Sequence, residues 1–297
     1  MKKSFVLFNI ICSLIFISSC NSPATTESKN ETISKEAKVF ARFVPERNDD
    51  FAWENDKIAF RAYGPASRKG TENNGFDCWL KRVEYPIINN WYANNLKGIP
   101  YHEDHGEGLD NYHVGHSAGC GGTGIWINNK REGLEAYTKY EIIESSDSKA
   151  VFKLSYEHTI SGVLYNEVKT ITIELGKRMF DVSSVFFKEG KPASNLDVCI
   201  GVSTHDGNAI TQHDEEKGII SAWETMNDNS ELGTAVVLTS GKGMVKEVTS
   251  EAKDESHIFL LTTTDSEGKL SYSAGYGWNK AKEITSFEQW TAYLANL

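Results

Sequence analysis

Short alternating runs rich in β-branched and aromatic residues recur roughly every ten to fifteen residues along most of this chain. "KVFARFV", "DKIAFRAYG", "AVFKLSY", "VKTITIEL", "RMFDVSSVFF", "NLDVCIGVS", "GTAVVLT", "HIFLLTTT" and "LSYSAGYGW" are the clearest, with Gly, Asn, Asp and Ser between them. In "VKTITIEL", Val168, Ile171 and Ile173 stand among polar neighbours such as Lys169 and Thr172, roughly the period of a half-buried strand. "ELGKRMF" joins two such runs and reads as a hairpin. Helix is scarce. "SFEQWTAYLANL" is the best candidate: Ser286 caps it, Gln289 completes a capping box, and Trp290, Tyr293 and Leu294 share a face. "YPIINNWYANN" reads as a shorter helix or an irregular loop. No internal repeat is visible. The pattern predicts an all-β fold, a large antiparallel β-sandwich with long loops and a short C-terminal helix, with function in the loops or on a concave face.

The N-terminus reads differently. Lys2 and Lys3 precede the apolar "SFVLFNIICSLIFI", and "ISSC" ends at Cys20. That is a secretory signal closing in a lipobox, too short for a membrane span, so 1–20 reads as a signal peptide and Cys20 as the lipidated residue. Residues 21–38 are polar, lack aromatics and read as a tether. The single folded domain is expected over 39–297, on a membrane-anchored lipoprotein of the outer membrane facing the periplasm. Beyond Cys20 stand Cys78, Cys120 and Cys199, which permit one disulfide at most and include no CxxC pair. The net charge of −10 argues against nucleic acid but leaves room for an anionic small substrate in a local basic pocket.

"YHEDHGEGLDNYHVGHSAGCGG", residues 101–122, carries four of the chain's eight histidines: His102, His105, His113 and His116. Tyr101, Tyr112, Glu103, Asp104, Glu107 and Asp110 accompany them, and Gly106, Gly108, Gly115, Gly119, Gly121, Gly122 and, just beyond, Gly124 permit sharp turns. A loop of this length without its own structure points to function, and imidazole is the proton carrier and metal ligand suited to neutral pH. Two chemistries fit the residues. In one, His and Tyr are general base and acid. In the other, His102, His105 and carboxylates hold a divalent cation, although H-x-x-H matches no standard metal motif. No cofactor is required by the sequence.

Upstream, Arg47 and Arg61 are candidates to fork onto a substrate carboxylate or sulfate, and Trp53 to stack on a sugar face. Equally, arginine–carboxylate pairs with Asp49, Asp50, Glu54 and Asp56 would fix strand ends. Lys81 and Arg82 are consecutive, so only one enters a given pocket. Tyr276 and Trp278 share a face of the last strand; aromatics there more often belong to a core, although Gly275 and Gly277 leave room for a ligand beside them.

The blocks "FVPERNDDFAWENDKIAFRAYGP", "YHEDHGEGLDNYHVG" and "AGYGWNKAKEITSFEQWTAYL" resemble a family catalogued as a domain of unknown function and associated with the galactose-mutarotase-like β-supersandwich. The similarity spans nearly all of 39–297. It implies carbohydrate chemistry. Within the family the chain is similar to ulvan oligosaccharide dehydratases, which remove water from a non-reducing-end glucuronic or iduronic acid and leave a 4,5-unsaturated uronate. Such an elimination needs the carboxylate neutralised, a base at the C5 hydrogen and an acid at the C4 hydroxyl. Arg47 or Arg61, helped by Arg82, fits the first need, with Trp53, Tyr101 and Trp278 as further binding residues. His105 or His116 fits the base, and His102, His113 or Tyr112 the acid, with Glu107 and Asp110 orienting an imidazole. A polysaccharide lyase or mutarotase on the same fold, and a non-catalytic glycan-binding lipoprotein, are the competing expectations. A hydrolase fits less well, because its two carboxylates would be crowded into one loop.

Overall fold

The computed structural model describes residues 35–297, Lys69 excepted. The expected signal, Cys20 and the tether up to residue 34 lie outside the described residues. The first sheet is an antiparallel meander of β1 (Phe40–Val44), β2 (Asp50–Glu54), β3 (Ala59–Ala62), β4 (Phe76–Lys81) and the short β5 (Gly108–Leu109). Helix α1 (Ile88–Asn95) falls between β4 and β5, so "YPIINNWYANN" is helical. It covers one face of this sheet, where Ile88, Trp91 and Tyr92 pack on Trp79, Ala52 and Ala59.

The chain continues through β6 (Cys120–Ile127) and β7 (Lys130–Glu132). Four strands then run in sequence: β8 (Lys139–Ser145), β9 (Lys149–Ile160), β10 (Val163–Glu174) and β11 (Met179–Lys188). The β10–β11 pairing confirms the "ELGKRMF" hairpin. After β12 (Lys191–Pro192) come β13 (Asp197–His205), β14 (Ile210–Asp214), β15 (Ile219–Thr225) and β16 (Glu231–Leu238). The last three are β17 (Met244–Val248), β18 (Ser256–Thr263) and β19 (Lys269–Trp278). The large sheet runs in the order β14-β15-β16-β19-β11-β10-β9-β8, with β12 beside β11, and a third sheet runs β17-β18-β13-β6-β7. All the strand pairs are antiparallel, and every sequence run named above contributes a strand. The fold is the expected antiparallel β-sandwich.

One apolar core unites the layers: Trp53 and Phe60 of the first sheet, Phe152, Phe180 and Tyr276 of the large sheet, and Ile200 and Ile258 of the third. The inward face of β10 departs from the simple pattern. Its buried positions include Glu167 and Lys169, paired at 2.6 Å, while Val168 falls on the other face. Thr123 hydrogen-bonds both groups and Lys169 sits 4.2 Å over the Tyr156 ring, so the buried charges are compensated. Helix α2 (Phe287–Ala295) lays Trp290 and Leu294 on the outer face of the large sheet against Met179, Ile219 and Trp223. Cys78, Cys120 and Cys199 are buried free thiols.

Candidate active site

The histidine loop closes against the first sheet because its own groups anchor it. Glu107 accepts from Tyr85 Oη, Asn90 Nδ2 and Trp91 Nε1 at 2.8–3.0 Å, fastening the loop to α1. Arg82 bonds Asp104 at 3.0 Å and the Gly106 carbonyl at 3.3 Å. These residues hold the outer turn. Arg82 is a brace there and lines none of the three cavities described next.

Beyond that turn the chain lines a cleft of about 400 Å³ with Arg47, Arg61, Tyr101, His102, Asp110 and His113 among its walls. That is large enough for a small ligand. Two cavities continue from it. One, of about 760 Å³, shares Asn111 and His113 and adds His205, Glu224 and Asp254. The other, of about 420 Å³, shares Thr71 and Glu72 and adds Arg68 and His116. The three form a groove with His102 and His113 in its central section.

The two central imidazoles are held in complementary ways. His113 Nε2 lies 2.9 Å from Asp254 Oδ1, and its Nδ1 makes no hydrogen bond among the described residues. In the neutral ring this places the proton on Nε2 and the lone pair on Nδ1. His102 Nδ1 donates to the Asp110 carbonyl at 2.9 Å, which leaves its lone pair on Nε2. Both side chains are more than half exposed, so the free nitrogens are open to a ligand. A third ring, His205, faces acceptors on both sides, Glu224 Oε2 at 2.7 Å and the His113 carbonyl at 2.7 Å. Burial pushes its pKa down, but the Glu224 charge and both hydrogen bonds outweigh burial and leave it raised. The arrangement stabilises an imidazolium that pins the backbone of His113.

Beneath the cleft, Arg61 is an enclosed strut. It is 4% exposed, bonds Asp77 at 2.5 Å and Asp110 at 3.0 Å, and lies between the rings of Tyr63, Trp79 and Tyr101. Its terminal nitrogens are committed to the protein and its Nε is buried without a hydrogen bond, which corrects the expectation that it grips a substrate. Arg47 is more open but also paired, with Glu72 and with Asp50 at 3.2 Å. The reading of arginine–carboxylate pairs as structural ties describes both.

Other expected site residues fall elsewhere. Trp53 is wholly buried among Phe60, Phe76, Phe152 and Phe180, so no sugar can stack on it. Trp278 is equally enclosed and donates to Ser230 at 2.8 Å. The space beside Gly275 and Gly277 is filled by protein, since a Cβ there would stand 2.1 Å from the Arg178 carbonyl and 2.9 Å from Ile284. The Tyr112 hydroxyl points inward without a partner; only its ring flanks the cleft, edge-on to His205 at 4.8 Å. It cannot hand a proton to a ligand. His105 Nε2 lies 3.1 Å from the Pro100 carbonyl on a separate small cavity, and His116 belongs to a flanking cavity. With His102 and His105 on different cavities, the metal pair of the alternative reading does not form, and no group of three His, Cys, Asp or Glu side chains among the described residues converges as ligands.

Sequence reasoning missed His205, Glu224 and Asp254. Each stands at the end of a distant strand or in a loop, and only the tertiary fold brings them to His113.

The fold and groove define an antiparallel β-sandwich with a histidine-lined cleft at one edge of its sheets. The chain belongs to the family described as Domain of unknown function (DUF4861), whose model matches residues 17–297. An uncharacterized protein of Formosa agariphila is 38% identical over 272 residues, covering 86% of this chain and 66% of that protein. The chain therefore spans just under two thirds of that relative's length. Among solved structures, a mutant heparan sulfate lyase of Pedobacter heparinus overlaps 80% of this chain and 36% of its own, at 10% identity and a TM-score of 0.41. A heparinase III overlaps 82% and 37%, at 10% identity and a TM-score of 0.44. No helix among the described residues is long and apolar enough to cross a membrane.

Proposed function

We propose that the chain is a carbohydrate-active enzyme whose central cleft eliminates water across C4 and C5 of a terminal uronate in an anionic, ulvan-type oligosaccharide. The observation that carries this reading is the pairing of His113 on Asp254 with His102 on the Asp110 carbonyl, each with a free nitrogen in one cleft. His113 is the base: Nδ1 takes the C5 proton, and Asp254 stabilises the imidazolium that forms. Arg47 and the His205 imidazolium, each also paired with a carboxylate of the protein, are the cations nearest a substrate carboxylate in the cleft and favour the enolate-like state. The departing hydroxyl is protonated from the side of the cleft where Asp110 stands beside His102. The sequence resemblance supports the substrate class. In the same reading the protein is a lipoprotein anchored through Cys20.

The test is direct. Purified protein is incubated with saturated uronate–rhamnose sulfate oligosaccharides while far-ultraviolet absorbance and product mass are followed. Rising absorbance with loss of one water and unchanged chain length is expected, and His113→Ala lowers the rate by about 10²–10⁴-fold. The continuation of the groove on both sides of the cleft favours a second reading, cleavage of the glycosidic bond within a chain by the same proton abstraction. Shorter products would establish that lyase. Altered optical rotation at constant mass would mean a mutarotase, and binding without any product would leave a glycan-binding protein.

A further inference from the structure

We propose that Asp110 is the proton donor of the cleft, carrying its proton as a neutral carboxylic acid in the resting protein; the identity of the proton's acceptor rests on the elimination reading above. Four carboxyls, Asp50, Glu72, Asp77 and Asp110, surround two guanidiniums, Arg47 and Arg61. Asp50 and Asp77 are wholly buried and Asp110 is 4% exposed. A set of this composition, all ionised, would leave uncompensated negative charge in the interior, which is far costlier than retaining a proton.

Geometry says where the proton sits. Asp77 and Asp110 both reach the same nitrogen of Arg61, at 2.5 Å and 3.0 Å. Two carboxylates on one donor behave as a pair in which one stays protonated. Asp77 has the shorter bond and keeps the charge. Around Asp110 stand Arg61 and Asp77 on β3 and β4, Arg47 farther off, and Tyr101 and His102 in its own loop. Burial and the Asp77 charge raise its pKa well above the usual carboxylate range, against the pull of the two arginines. Its Oδ2 faces Arg61, whereas Oδ1 makes no hydrogen bond among the described residues and belongs to a side chain that lines the cleft. That oxygen can present the proton to a ligand.

The step balances. The C5–H pair becomes the C4=C5 bond as the proton moves to His113 Nδ1. The C4–O bond breaks with its electrons on oxygen, and the Asp110 proton joins that oxygen to leave as water. Asp110 ends as an anion and His113 as an imidazolium. The half-exposed His113 releases its extra proton to solvent, and solvent returns one to Asp110 with the exposed His102 beside it as the relay.

Infrared spectroscopy tests this without a substrate. In the Asp50→Asn variant, which removes the other carboxyl that burial keeps partly protonated near pH 7, a protonated-carboxyl stretch at neutral pH is expected to move on ¹³C-aspartate labelling and to disappear when Asp110→Asn is added. Should Asp110→Asn not fold, Asp110→Glu keeps the acid and must shift the band. With uronate oligosaccharides, Asp110→Asn lowers turnover by about 10²-fold or more, Asp110→Glu recovers part of it, and the alkaline limb of the wild-type pH profile is lost. Absence of the band in Asp50→Asn, or its survival when Asp110→Asn is added to that variant, overturns the proposal. Unchanged turnover in a folded Asp110→Asn does so as well. A band lost when Asp110→Asn is added, with no uronate oligosaccharide turned over by wild type, upholds the protonated Asp110 and removes only the elimination reading.

Discussion

Gly115 adopts φ +51°, and a Cβ at this position would stand 2.0 Å from Asp254 Oδ2 and 3.0 Å from His113 Nε2. The glycine is what lets the carboxylate close on the imidazole. Gly115→Ala is therefore expected to displace Asp254 and lower turnover as far as Asp254→Asn does, while the left-handed backbone costs about 1–2 kcal/mol of stability. Steady-state rates beside chemical denaturation check this. A stability loss with unchanged kcat would show that the His113–Asp254 contact does nothing for catalysis. His105→Ala, by contrast, leaves turnover as in wild type, because that ring faces the Pro100 carbonyl on another cavity. At this scale the sequence was half informative. The density of imidazoles and glycines in one loop marked the cleft and named His102, His113 and Tyr101 among its walls. It could not sort inward from outward rings, because no periodicity operates in an irregular loop. Nor could it show that Asp254, 141 residues from His113, completes the pair.

Among the elements, helix α2 illustrates how far local signals reach. Ser286 Oγ accepts from the Gln289 amide at 3.4 Å, as the capping pattern predicts. In the reciprocal bond the Gln289 Oε1 accepts from one residue further back, the Thr285 amide, at 2.8 Å. Ser286→Ala should cost about 0.5–1 kcal/mol, measured as a lowered denaturation midpoint with an unchanged m-value. No change would mean that Thr285 and Gln289 carry the cap alone. Strands were legible because alternation is a local property. The β10 register was not: Lys169 reads as a solvent-facing residue, yet it points inward because Glu167, Thr123 and the Tyr156 ring wait for it. Compensation of a buried charge is supplied by other strands, and a single segment carries no trace of it. Trp53 and Trp278 fail as sugar platforms for the same reason: aromatic residues on strands suit a core and a binding face equally, and the sheets that cover them lie elsewhere in the sequence.

For the whole molecule, two buried titratable groups set opposite pH limits. His257 ties β18 to the turn before β6: Nε2 accepts the Ala118 amide at 2.9 Å while Nδ1 donates to the Glu255 carbonyl at 2.9 Å. A protonated ring could not accept, and burial, helped by the Arg131 charge, pushes the pKa down to about 4 from 6.5. The folded pKa lies below the unfolded one, so this contribution is present above about 6.5 and is lost as pH falls towards 4. Asp50 runs the other way. Burial raises it from 3.8 to about 7, against the charges of Arg61 and Arg47. Its folded state retains a proton the unfolded chain has shed, so this contribution is present below about 4 and is lost as pH rises through 7. Each amounts to on the order of 3 kcal/mol. His257→Gln, whose side-chain oxygen can still accept the Ala118 amide, should flatten the acid limb of stability against pH. Asp50→Asn should flatten the limb between about pH 4 and pH 7. Denaturant midpoints across that range measure both. Parallel curves for wild type and variant would show that the group titrates alike in the folded and unfolded chain. For Asp50 that outcome would also weaken the argument beneath the cleft, since the burial that raises Asp50 against both arginines is also the first cause raising Asp110.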